Sequence, residues 1–218
     1  MVFHQSPISE WPYALAFLIW MLIGAVSLRT ILRYQLYTVE KGQHLFFGNV
    51  VGLALLWKLA APFGDGAISI HFLGLGAAWL MLGEAMAFIA LNAALAVHAL
   101  MGMLSWSAIP VDGLLLSLAL LPPVFLRGWL AGRSWSNPLV FIWLNGFLGS
   151  ILGILLVMGC GSLLAWISWP HIQDNLGLLL PYAILLGFGE GFLNGTLASA
   201  LVIFVPGWLY SMRGLREL

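Results

Sequence analysis

Five histidines carry the clearest metal-binding chemistry in this sequence: His4, His44, His71, His98 and His171. Neutral imidazole is the commonest protein ligand for divalent transition metals. A carboxylate, Glu190, sits in Gly187-Phe188-Gly189-Glu190-Gly191, inside a long apolar stretch. An acid at that depth must face a partner or a cavity, as part of a substrate path or as a hydrogen-bonding group for freed backbone. Asn49, Asn92, Asn145 and Asn194 are further amides in apolar stretches and read as interhelical hydrogen bonds. Each histidine taken singly is also an ordinary polar residue of a membrane interface. Other chemistries lack their residues: there is no His-Glu-x-x-His, no Gly-x-Ser-x-Gly and no phosphate-binding Gly-x-x-x-x-Gly-Lys-Ser/Thr.

The chain that must position these residues has 218 residues, 62% of them apolar and 7% charged, with mean hydropathy +1.02. A soluble domain carries about 25% charged residues. The bilayer is therefore the solvent for most of the chain, and a soluble enzyme is excluded. Eight basic residues balance eight acidic ones, so no basic field attracts nucleic acid. A single cysteine, Cys160, forms no internal disulfide. No repeat or linker divides the chain, and residues 1–218 read as one integral membrane domain.

The expected architecture is an all-α polytopic bundle of about seven transmembrane helices. The spans are placed at residues 11–32, 45–63, a short one from 67, 85–103, 114–130, 139–167 and 178–209. The uninterrupted block 67–104 would measure about 57 Å as one helix, nearly twice a ~30 Å hydrocarbon core. It must turn, and Gly83-Glu84 is the expected corner. With the N-terminus outside, Arg29, Arg33, Lys41, Arg127, Arg133, Arg213 and Arg216 fall inside. Glu10, Asp65, Asp112 and Asp174 fall outside, and Lys58 alone breaks the pattern. This asymmetry predicts N-out, C-in. His4, His71, His98 and His171 then share the outer face with the three aspartates, which leaves no aspartyl pair at mid-membrane, and His44 lies opposite. Gly48/Gly52, Gly149/Gly153 and Gly191/Gly195 are Gly-x-x-x-Gly pairs that read as close helix packing.

Several stretches resemble the CbiM/NikM membrane subunits of energy-coupling-factor transporters for cobalt and nickel. Gly66 through Gly76, with His71-Phe72-Leu73-Gly74, is similar to the family's Gly-rich loop ending in His-Leu-Leu-Gly-Gly. Met81-Leu82-Gly83-Glu84 resembles its tight Leu-Leu-Gly-Pro corner. Gly189-Glu190-Gly191-Phe192-Leu193-Asn194-Gly195, followed by Val205-Pro206-Gly207-Trp208, resembles its last span. The family's opening Met-His-Ile-Pro-Asp-Gly is replaced by Met1-Val2-Phe3-His4-Gln5-Ser6-Pro7, without the second-position histidine. The resemblance implies a metal-ligand role for His71. His4 and the Met1 amine are candidates by chemistry; with Met1 removed, Val2-Phe3-His4 would form an X-X-His chelate.

The resulting expectation is a non-enzymatic substrate-capture or permease subunit, multi-pass in a bacterial inner membrane. Its substrate would be nickel, cobalt or copper, bound without a resident cofactor at His71, His4 and Met1. Separate ATPase and coupling subunits, or other membrane subunits, would be its partners beside membrane lipid. The rivals are a non-transporting membrane scaffold or regulatory subunit, and a haem-binding electron carrier using His71 and His98.

Overall fold

A computed structural model describes residues 2–4, 7–8, 10–34, 41–63, 66, 68–131, 137–169 and 177–210. Met1, Asp65, Arg133, His171, Asp174, Arg213 and Arg216 lie outside these described residues. The described chain is a helical bundle capped at one end by a small sheet. Helix α1 (Glu10–Arg33) begins with Pro12 in its first turn, where a missing N–H costs no helical bond. It lies on the outside of the bundle, with Leu15, Leu18, Leu22 and Leu32 exposed. Trp20 ties it inward, its Nε1–H donating to Asn92 Oδ1 at 2.7 Å.

Helix α2 (Gly42–Trp57) ends six residues before the expected boundary. The chain then forms strand β2 (Ala61–Phe63), which pairs antiparallel with β3 (Ile68–Ile70). Strand β1 (Val2–Phe3) pairs with the other edge of β3, Val2 opposite Ser69. The expected third span therefore does not begin as a helix at residue 67. Ile68-Ser69-Ile70 alternates between buried and half-buried positions as a strand does. Gly66 and Gly74, at φ 89° and 67°, bend the chain in the left-handed region on either side.

Helix α3 (Leu75–Leu100) is broken at Gly83, where φ is 72° and ψ 179°. His71 before the helix and His98 near its end both pack on the Trp57 ring, at 5.4 and 5.9 Å. A straight helix would hold its two ends more than 30 Å apart, at about 1.5 Å per residue. The chain therefore reverses at Gly83, at the corner the sequence indicated. Tyr210 packs where a Cβ of residue 83 would stand. Beside the corner, Arg127 pairs with Glu84 at 2.8 Å and its guanidinium lies over Trp79 at 5.8 Å.

Helices α4 (Ile109–Ser117) and α5 (Leu121–Ala131) are joined by the 3-10 turn Leu118–Leu120. Pro122 and Pro123 cannot donate to the carbonyls of Leu118 and Ala119, so the winding changes there. Asp112, expected in an outer segment, is instead fully buried within α4. Helix α6 (Pro138–Phe141) leads through a π-helical stretch, Ile142–Leu148, into α7 (Gly149–Ser168). Helix α8 (Leu179–Phe204) closes the bundle. Gly191 meets Ile151 and the Phe147 carbonyl, and Gly153 meets Ala119, so both faces pack closely as expected. Gly48 and Gly52 differ: nothing lies within 4 Å of a Cβ there. They line an apolar cavity of about 740 Å³ that also borders Lys41, His44, Asn49 and Trp208.

Among the described residues, five stretches are long and apolar enough to cross a membrane: Trp11–Arg33, Leu75–Leu100, Trp106–Leu130, Pro138–Ser168 and Leu179–Phe204. Leu75–Leu100 is divided at Gly83 and so holds the expected third and fourth spans; the third, the arm 75–82, is about 12 Å long as a helix, and the expected second span, α2, about 24 Å. Each is shorter than a ~30 Å hydrocarbon core.

Candidate metal centre

The loop 71–74, between β3 and α3, carries the principal candidate. His71 is buried, at 4% exposure. Its Nδ1 lies 2.8 Å from the Phe72 carbonyl. A carbonyl only accepts, so Nδ1 carries the proton and Nε2 keeps its lone pair. That Nε2 is buried with no hydrogen-bond partner. Burial holds the imidazole well below its ordinary pKa, in the neutral form that ligates metal.

The end of the bundle brings two more histidines to the same place. His4, His71 and His98 line one cavity of about 40 Å³, with Trp57 and Met103 in its wall. This is room for a single ion or water. His4 is positioned through β1: the Phe3 N–H donates to Asp112 Oδ1 at 3.0 Å, and the His4 carbonyl accepts from Ser105 N–H at 2.9 Å. Both ring nitrogens of His4 are engaged, Nδ1 with the Met103 carbonyl and Nε2 with Ser69 Oγ, each at 2.8 Å. His98 donates from Nε2 to the Ala54 carbonyl at 2.9 Å, which leaves its Nδ1 as the ring's acceptor. Among the described residues, no three His, Cys, Asp or Glu side chains stand together in metal-holding geometry.

The sequence-predicted residues thus separate into groups. His4, His71 and His98 come together, and His44 lies elsewhere, on the wall of the large cavity. Met1, His171, Asp65 and Asp174 fall outside the described residues. A haem between His71 and His98 is contradicted: the 40 Å³ cavity cannot hold a macrocycle, and Trp57 packs against both rings. Glu190 faces the interior at 2% exposure. It does not line the small cavity, but its carboxylate accepts from Leu73 N–H at 2.9 Å and Gly74 N–H at 2.6 Å. Asn194, one turn along α8, accepts from Ala77 N–H at 3.1 Å. Glu190 and Asn194 together satisfy orphan amides at the start of α3. Asn92 also bridges helices, through Trp20, and Asn49 donates to Leu45 in its own helix and to Met81 Sδ on α3 at 3.9 Å, whereas both Asn145 amide atoms are buried without a partner.

Sequence reasoning missed Trp57, Ser69 and the strand-holding role of Asp112. Only Asp112 had a local signal, since Pro110 two residues before it marks a helix start.

Residues 7–217 match the family model CbiM, the cobalt uptake substrate-specific transmembrane region. A solved structure described as a truncated transition metal transporter superposes with TM-score 0.69, covering 93% of this chain and 98% of that one. Its sequence identity is 14%, so the likeness is one of fold. No curated protein matches the chain. The loop bearing His71, the corner at Gly83 and the glycine-flanked Glu190 all lie inside the matched region, and the chain belongs to the CbiM family.

Proposed function

We propose that this chain is the substrate-capture subunit of an energy-coupling-factor-like uptake system for a divalent transition-metal ion, nickel or cobalt foremost. The observation that carries the reading is the buried, unpartnered Nε2 of His71 in a cavity of about 40 Å³. A neutral imidazole selects borderline metals over Mg²⁺ and Ca²⁺, which prefer oxygen ligands. His4 is within the same cavity wall and joins the ion when Nε2 exchanges Ser69 for it. The Met1 amine is the proposed third donor. The orientation is N-out and C-in, in a bacterial inner membrane, and the energy comes from separate ATPase and coupling subunits.

The engaged ring of His4 and the absence of a three-ligand cluster among the described residues favour one other reading, a non-transporting membrane scaffold. Equilibrium dialysis with Ni²⁺ and Co²⁺ separates the two. The expectation is binding by the wild type, loss of most of it in His71→Ala, an intermediate effect in His4→Ala and none in His44→Ala. Absence of binding by the wild type would leave the scaffold reading in place.

A further inference from the structure

The His71 ring is oriented by one peptide unit, the one joining Phe72 to Leu73. Its carbonyl accepts from His71 Nδ1 at 2.8 Å, and its N–H donates to Glu190 Oε2 at 2.9 Å. The next peptide is held at both ends too. The Leu73 carbonyl accepts from Trp57 Nε1–H at 3.0 Å, and the Gly74 N–H donates to Glu190 Oε1 at 2.6 Å. Asn194 Nδ2 donates to the same Oε1 at 2.8 Å. Three N–H donors thus converge on one carboxylate, which stands opposite His71 across a single amide.

We propose that Glu190 is a positioning residue for metal capture, acting through the Phe72–Leu73 peptide to fix the His71 imidazole as the Nδ1–H tautomer with Nε2 free. The arrangement is a carboxylate–peptide–histidine chain. A carboxylate on the N–H side of an amide strengthens its carbonyl as an acceptor, because hydrogen bonds in series polarise one another. A stronger bond at Nδ1–H raises the basicity of Nε2 and fixes the ring, as outer-shell partners do at metal sites. The alternative tautomer would place a proton on the buried Nε2, where no acceptor meets it, and turn the Nδ1 lone pair toward the carbonyl. Packing on the far side supports the same geometry: a Cβ at Gly189 would come within 2.8 Å of the Phe72 ring, so α8 presents a flat surface there. The sequence signal is a glycine, an acid and a glycine on one helix, read by a loop more than a hundred residues earlier.

The ligand role of His71 belongs to the proposed function, but the tautomer does not depend on metal, and the test uses both. The full chain, labelled with ¹⁵N-histidine, is studied without metal, with His71→Gln used to assign the resonance. Wild type is expected to show His71 protonated at Nδ1 alone. Glu190→Gln leaves one of the two loop amides without its acceptor; it is expected to mix the tautomers and weaken Ni²⁺ binding by about tenfold or more. Gly189→Ala, which pushes on Phe72 without touching the carboxylate, is expected to mix the tautomers likewise and serves if Glu190→Gln does not fold. Gly153→Ala, whose added methyl meets Ala119 and no member of this network, is expected to lower thermal stability while leaving the tautomer as in wild type, which separates positioning from plain support of the fold. His71 protonated at Nε2 in the wild type would overturn the proposal. So would a wild-type tautomer pattern in folded Glu190→Gln. A wild type that binds no metal yet shows the Nδ1–H tautomer, lost in Glu190→Gln, would overturn capture while sustaining the chain of hydrogen bonds.

Discussion

At the scale of single residues, chemistry follows from which ring nitrogen is left over. His4, His71 and His98 border one small cavity, but only His71 presents a buried nitrogen with no partner. Residue type and family motif singled out His71 in the sequence. The engagement of His4 by Met103 and Ser69 was not legible, because the partners lie 99 and 65 positions away. Burial also sets a pH dependence. In the folded protein His71 stays neutral well below its ordinary value of 6.5, whereas in the unfolded chain it takes a proton near that pH. The unfolded state then binds more protons, so the stability linked to His71 is complete above about pH 6.5 and is lost progressively as pH falls below it. Thermal unfolding of His71→Leu should therefore decline less between about pH 6.5 and 5 than that of wild type. An equal or steeper decline would contradict the burial argument.

At the scale of elements, lengths were more legible than short structure. The block 67–104 was too long for one crossing, so arithmetic required a turn, and Gly83-Glu84 supplied its place. Three strands of two or three residues each carry too little pattern to be read, and their pairing joins residues 2–3 to 68–69 across the chain. The same limit moved the start of α4: a span placed at 114 hid Asp112 from the interior it occupies. Glycine pairs illustrate how spacing alone falls short. Gly191 lies against Phe147 and Ile151, whereas Gly48 faces open space, though both belong to the same motif. Gly191→Ala should cost about 1–3 kcal/mol through overpacking, while Gly48→Ala should be neutral or stabilising by up to about 1 kcal/mol through helix propensity. Thermal unfolding in one detergent compares them, and equal losses would refute the packing assignment.

At the scale of the whole molecule, the membrane class was legible from composition, because sixteen charges cannot cover a water-facing surface of 218 residues. What the bundle adds is convergence. Helix α8 holds the start of the arm 75–82 through Glu190 and Asn194, and the segment beyond α8 places Tyr210 on Gly83 at the arm's corner. Strand β1, held by Asp112, completes the wall around His71 from the other side. In the proposed function this wall encloses a transition-metal ion with His71 as a ligand. X-ray absorption at the nickel edge, recorded on the full chain loaded with one equivalent of Ni²⁺, tests it most directly. Imidazole scattering is expected in the wild type, diminished in His71→Ala and unchanged in His44→Ala. A spectrum identical in wild type and His71→Ala would contradict it.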